Sequence, residues 1–252
     1  MPGMYSGPQL EAVLRFFEGL PREGPGDDRI TRHLYGLLTD LPARPRAADM
    51  GSGSGAATLV LAREGAMVTA VDMLSALLER LERKVVAAGL NERVRTLRAS
   101  MLEVPVSKEP FDLIWSEGAA YAVGFERALN TWRELLRPGG YVVASEMSWL
   151  VDDPPAEVRD YWTVAYPGIR TVEQNLRVVA GAGYRWLGSF LLPDAAWEEF
   201  YAPQRVRCRE WRARPMSPEE EELVREVEEE IRLHEAYRSV YGYVFYLVQR
   251  PG

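Results

Sequence analysis

The sequence predicts an α/β fold, a doubly wound and mostly parallel sheet with helices on both faces, and three observations carry that expectation. From residue 47 short apolar segments alternate with helical ones, a glycine-rich turn (GSGSG) follows the first of them, and segments such as DLIW and YVVA have no polar face. Strands separated by helices of this length form right-handed βαβ units, and wholly apolar strands suit a sheet covered on both sides. The expected order is strand 47–50, helix 56–64, strand 67–72, helix 74–88 stopped by Gly89, strands 94–99 and 111–116, helix 125–136 closed by Arg137-Pro138-Gly139-Gly140, and strand 141–145.

Around this core the pattern is different. Residues 9–20 and 28–41 read as helices on either side of LPREGPGD, which holds too much Pro and Gly for a helix. In the second, Ile30, Leu34, Leu37, Leu38 and Leu41 share one face, with Asp27 or Asp28 as N-cap. After Trp149, helices are expected over 154–164 and 171–182 and a strand over 183–192. A long helix opens at Ser217-Pro218-Glu219-Glu220, a capping box, and carries the stripe Leu223, Val227, Ile231 and His234. The chain closes on a strand over 241–248, which is expected to pair antiparallel with the strand before the insertion. Residues 1–252 read as one domain: a helical cover (1–44), a binding core (45–150) and an elaborated final part (151–252).

Composition narrows the function. The 252 residues hold 30 Lys plus Arg against 37 Asp plus Glu, a formal net charge of -7, which opposes binding to a phosphate backbone. No run of eighteen apolar residues and no basic leader segment is present, so neither a membrane span nor a secretory signal is expected, and the location expected is cytoplasmic. One cysteine, Cys208, and two histidines, His33 and His234, exclude a disulfide framework and a Cys- or His-rich metal centre. The oligomeric state is left open.

The turn Gly51-Ser52-Gly53-Ser54-Gly55 lets backbone come close to a ligand, because glycine has no Cβ. Gly51-x-Gly53-x-x-Ala56 also satisfies the dinucleotide fingerprint, so an NAD(P)-dependent oxidoreductase stays open at this point. Two carboxylates frame the turn. Asp49 ends the first strand, and Asp72 ends the second, where a carboxylate in the switch-point crevice can accept both hydroxyls of a ribose.

The segments ADMGSGSG, VTAVDM, FDLIWSEG and LLRPGGYVVASE resemble, in order and spacing, the motifs of class I S-adenosylmethionine-dependent methyltransferases over roughly residues 45–150. LPREGPGD, AYPGI, FYAPQ and YGYVFYLVQ extend the likeness to a bacterial type 11-like subgroup acting on small molecules. The resemblance implies a Rossmann-like, seven-stranded sheet with an antiparallel last strand, N-terminal helices and a helical C-terminal insertion. It implies S-adenosylmethionine as cofactor and a small-molecule methyl acceptor. The residues expected around the cofactor are Arg22, Asp49, Gly51, Ser52, Gly53, Asp72, Met73, Ser100, Met101 and Glu117. Where many members have an acidic residue after the third strand, this chain has Ser100-Met101, whose hydroxyl and thioether suit an adenine edge and face. A cofactor-binding module without turnover is the alternative of another class.

Methyl transfer from a sulfonium needs alignment more than acid–base chemistry, so no triad is expected. Glu117 and Tyr121, at the exit of the fourth strand, are the catalytic candidates. Glu117 is read first as a partner for the methionine ammonium, then for the sulfonium, then as a base. Tyr121 is read as an aromatic face or hydroxyl near the methyl group. Arg22 is expected to reach a carboxylate. Trp149, Trp162, Tyr166, Trp186, Trp197 and Tyr201 are candidates to line an acceptor pocket, residues 219–230 read as a solvated acidic face, and His234 as a core histidine.

Overall fold

The computed structural model describes residues 6–252; the first five residues of the expected N-terminal cover lie outside them. The described chain runs α1 (Pro8–Phe16), α2 (Asp28–Gly36), β1 (Arg46–Met50), α3 (Ala56–Arg63), β2 (Met67–Asp72), α4 (Ser75–Ala87), β3 (Val94–Arg98), β4 (Phe111–Ser116) and a 3₁₀ turn (Ala120–Ala122). It continues with α5 (Phe125–Arg133), β5 (Leu136–Trp149), α6 (Ala156–Ala165), β6 (Arg170–Thr171), α7 (Val172–Gly181), β7 (Arg185–Leu191), α8 (Asp194–Arg212), α9 (Pro218–Tyr237) and β8 (Tyr241–Gln249).

The sheet order is β3-β2-β1-β4-β5-β8-β7. The pairs on the β3 to β5 side are parallel, and β8 runs antiparallel to both of its neighbours. The last strand is thus antiparallel, as expected. The expected count of seven strands describes this path, and a two-residue eighth, β6, pairs with the end of β5. The pleat sends alternate side chains to two cores. Leu113, Trp115, Tyr141 and Val143 face α1–α3, α6, α8 and α9, whereas Ile114, Val142 and Ala144 face α5 and α7. The central strands read as continuous apolar runs because both faces are covered.

The bounds of β5 differ from expectation for a physical reason. β5 spans fourteen residues and begins before Pro138-Gly139, because Gly139 takes a left-handed φ of 74° and its N–H donates to the Arg250 carbonyl. The expected insertion is the helix pair α8–α9, and α8 accommodates Pro203 inside it. Asp27, of the two candidates, caps α2 and accepts from the Arg29 N–H at 2.7 Å. The capping box of α9 forms as expected, with Ser217 and Glu220 bonded reciprocally. Among the described residues no helix is long and apolar enough to cross a membrane.

Candidate functional site

The sheet order reverses between β1 and β4, and a crevice opens there beyond the strand ends. An open cavity of about 1210 Å³, counted out to its mouth, fills that crevice. Arg22, Asp49, Gly51, Ser52, Gly53, Asp72, Met73, Ser100, Met101, Glu117 and Tyr121 all line it, so every residue expected at the site is brought to one cavity. Sequence reasoning missed α1, which walls it with Leu10, Val13 and Leu14, and it missed Glu23 in the following loop.

The turn between β1 and α3 has three glycines with positive φ: Gly51 at 75°, Gly53 at 54° and Gly55 at 89°. At Gly51 a Cβ would also lie 2.4 Å from the Ala119 Cβ and 3.2 Å from the Met101 Cε, so a side chain there would close the crevice. The five N–H groups of this turn are consumed within the protein. Those of Gly51 and Ser52 donate to the Val71 carbonyl (2.9 and 3.0 Å), and that of Gly55 to the Ser52 carbonyl (2.9 Å). The Gly53 N–H donates to Asp72 Oδ2 at 2.9 Å, and the Ser54 N–H to Glu23 Oε2 at 3.2 Å. The glycines contribute space and curvature, and the donors of the turn are bonded within the protein.

Asp72 is 5 % exposed and holds the turn from the β2 side, its other oxygen accepting from the Leu74 N–H at 2.9 Å. A carboxylate has about four lone-pair sites, so two remain for a ligand. Asp49 lies deeper and accepts from the Thr58 hydroxyl at 2.5 Å. Burial pushes its carboxyl up to about 7, with Thr58 pulling the other way and Glu117 and Asp72 adding to the rise.

Glu117 is a junction. Its Oε1 accepts from the Thr31 hydroxyl (2.6 Å) and the Trp115 Nε1–H (2.8 Å), and its Oε2 from Arg22 Nη1 at 3.2 Å. Both lone pairs of Oε1 are filled and one of Oε2 is taken, so Glu117 ties α2, β4 and the loop that carries Arg22 together. Arg22 also pairs with Asp28 at 2.5 Å, so its partners are the protein's own carboxylates. Together with Glu23 on Ser54, these bonds strap the loop between α1 and α2 across the cavity. Ser52 Oγ is buried with no hydrogen-bond partner among the described residues.

Tyr121 lies edge-on to Tyr166, ring centroids 5.7 Å apart. Of the other aromatic candidates, Trp149, Trp162, Trp197 and Tyr201 are buried around β8, while Trp186 is 52 % exposed on β7. His234 is a core histidine, stacked on Trp197 at 4.2 Å and pushed down to about 4 by burial. The acidic stretch 219–230 is only partly a solvated face. Glu220 is buried in the cap, and Glu230 turns inward to the Tyr201 hydroxyl at 2.8 Å. Among the described residues no cluster of His, Cys, Asp and Glu is suited to a metal ion.

Residues 48–144 match the family described as "Methyltransferase domain". A dimethylglycine N-methyltransferase of Parasynechococcus marenigrum is 32 % identical over 121 residues, 47 % of this chain and 43 % of that one. The chain spans roughly half the length of the curated relatives it matches. Among solved structures, a methyltransferase from Thiobacillus denitrificans in complex with S-adenosyl-L-homocysteine aligns with a TM-score of 0.80 at 20 % identity, covering 97 % of this chain and 99 % of that one. YjhP from E. coli aligns equally well, with a TM-score of 0.80 at 22 % identity, over 95 % of this chain and 100 % of that one.

Proposed function

We propose that this chain, which carries a class I S-adenosylmethionine-dependent methyltransferase domain of the type 11 kind, binds S-adenosylmethionine in the switch-point cavity and methylates a small molecule in the cytoplasm. The observation that carries the reading is the spent turn beside three carboxylates. A pyrophosphate needs free amides and would be repelled by Asp49 just before the turn, whereas a nucleoside with a positively charged tail is attracted by that carboxylate. The cavity has the features that such a ligand requires: a crevice held open by Gly51, a buried unpaired hydroxyl at Ser52, and unused acceptor capacity on Asp72.

When bound, S-adenosylmethionine supplies a methyl group on a sulfonium, with a neutral thioether as leaving group. Asp72 would hold the ribose hydroxyls and Asp49 the amino-acid end. Met73, Ser100 and Met101 form the rim for the adenine. Glu117 positions the strap by gripping Arg22 and Thr31. Tyr121 presents its ring beside the reacting centre, and its buried phenol, held above its ordinary range by desolvation, stays neutral. The protein's share is alignment and exclusion of water, which can supply roughly 7–11 kcal/mol of the barrier.

Calorimetric titration with S-adenosylhomocysteine, NAD and NADP tests the reading. Micromolar binding of S-adenosylhomocysteine with no response to either dinucleotide is expected, and the opposite pattern removes it.

A further inference from the structure

Donor binding as assigned to Asp49 and Asp72 leaves the carboxylate of the amino-acid end without a partner. Arg22 is the sole Lys or Arg among the described residues that line the cavity, which it shares with Glu23, Asp49, Asp72 and Glu117. Its Nη1 donates to Glu117 Oε2 at 3.2 Å and its Nη2 to Asp28 Oδ1 at 2.5 Å. A guanidinium carries five N–H donors in a planar fork. Among the described residues only those two bonds occupy it, so donors remain to hold a further carboxylate by two bonds at once.

The loop is shaped around this side chain. A Cβ at Gly26 would lie 2.5 Å from Arg22 Nη1 and 3.0 Å from Glu117 Oε2, so the glycine leaves the space that the guanidinium occupies. Arg22 also lines a second cavity, between the loop, the start of α2 and α8, together with Asp28, Glu199, Phe200 and Pro203. The guanidinium thus stands at the partition between the two spaces. Its present partners differ in environment, the Glu117 side chain being 8 % exposed and that of Asp28 54 %. An exposed ion pair contributes little, so exchanging Asp28 for a ligand carboxylate costs little, whereas the buried contact with Glu117 is kept.

We propose that Arg22 is the specificity-determining residue for the donor's amino-acid end: it takes the ligand carboxylate in place of Asp28 while the ammonium falls to the acids of the cavity, so that the site selects a zwitterionic nucleoside over a cationic one. Coulomb attraction to the acids alone gives the reverse order, because it favours the extra positive charge of a molecule that lacks the carboxylate. The proposal rests on the reading that the cavity holds S-adenosylmethionine. It makes the bound ligand a further attachment of the loop, beside the bonds of Arg22 to Glu117 and of Glu23 to the Ser54 N–H.

The test titrates the full chain calorimetrically with S-adenosylhomocysteine and with its decarboxylated analogue, S-adenosyl-3-thiopropylamine, which keeps the nucleoside and the ammonium. The parent is expected to bind S-adenosylhomocysteine at least about tenfold more tightly than the amine. Arg22→Met is expected to erase or invert that preference while the amine loses no more than about threefold, which also reports an intact fold. Gly26→Ala, which keeps every charge and crowds Nη1, is expected to weaken S-adenosylhomocysteine several-fold and leave the amine unchanged. Equal binding of the two ligands by the parent, or tighter binding of the amine, overturns the role given to Arg22 and leaves the nucleoside site standing. A preference retained in Arg22→Met overturns it too. Should that variant bind neither ligand, Gly26→Ala decides, and an unchanged preference there overturns the proposal. Binding of neither ligand by the parent overturns the underlying reading.

Discussion

Replacing Asp72 by alanine perturbs two things at once, and the structure separates them. The carboxylate accepts the Gly53 and Leu74 N–H groups, both at 2.9 Å, and so ties the glycine turn to the start of α4. Leaving a buried donor unpaired costs about 1–3 kcal/mol, so losing the shared acceptor removes at least about 2 kcal/mol from the ligand-free protein. At about 2–4 °C per kcal/mol for a chain of this size, the melting temperature falls by roughly 4–8 °C or more. The two lone-pair sites still available are those assigned to the ribose. Two charge-assisted bonds of about 1.5–3 kcal/mol each, discounted for relaxation, make the loss of affinity on the order of a hundredfold. Thermal unfolding of the ligand-free variant and calorimetric titration with S-adenosylhomocysteine read the two effects independently. A melting temperature within about 1 °C of the parent would refute the structural role. A lowered melting temperature with unchanged affinity would refute the ribose assignment.

Three further outcomes are expected. The Asp49 carboxyl is pushed up to about 7 mainly by burial, so its charged form penalises the fold as pH rises from the ordinary carboxylate range through 7, and a positively charged ligand end favours that same form. Affinity for S-adenosylhomocysteine should be about thirtyfold weaker at pH 5.5 than at pH 8.5, and Asp49→Asn should flatten the profile; a slope that persists in the variant would place the titration elsewhere. Gly51→Val should abolish cofactor binding, because its Cβ would start 2.4 Å from the Ala119 Cβ on backbone at φ 75°, and retained binding would contradict the crevice. Arg207 donates to the carbonyls of Arg15 (3.1 Å), Phe16 (2.5 Å) and Glu18 (2.9 Å) and so clamps the end of α1. Arg207→Ala should speed hydrogen exchange through α1 and weaken cofactor binding several-fold, and unchanged exchange would count against α1 as a held wall.

Much of this architecture is legible in the residues. The strands at 67–72 and 111–116 coincide with β2 and β4 to the residue, because apolar runs bounded by Asp72 and by Ser116-Glu117 have sharp ends. The site residues fall together because Asp49, Asp72 and Glu117 all lie at the carboxyl ends of adjacent strands, a consequence of topology alone. What stayed hidden depends on tertiary partners. Glu23 sits in an aperiodic Gly-Pro loop, and only the folded turn presents the Ser54 N–H to it. Glu146 looks like the end of a strand because a carboxylate there breaks the apolar run, yet the ladder of β8 carries β5 on to Trp149. The three-way saturation of Glu117 is likewise invisible without Thr31, 86 residues away along the chain.

The most direct measurement is a crystal structure of the chain with S-adenosylhomocysteine. The nucleoside is expected between the strand ends of β1, β2 and β4, its two ribose hydroxyls within hydrogen-bonding distance of the Asp72 carboxylate while Gly53 and Leu74 keep theirs. A nucleoside seated elsewhere, or a ribose turned away from Asp72, would contradict the account.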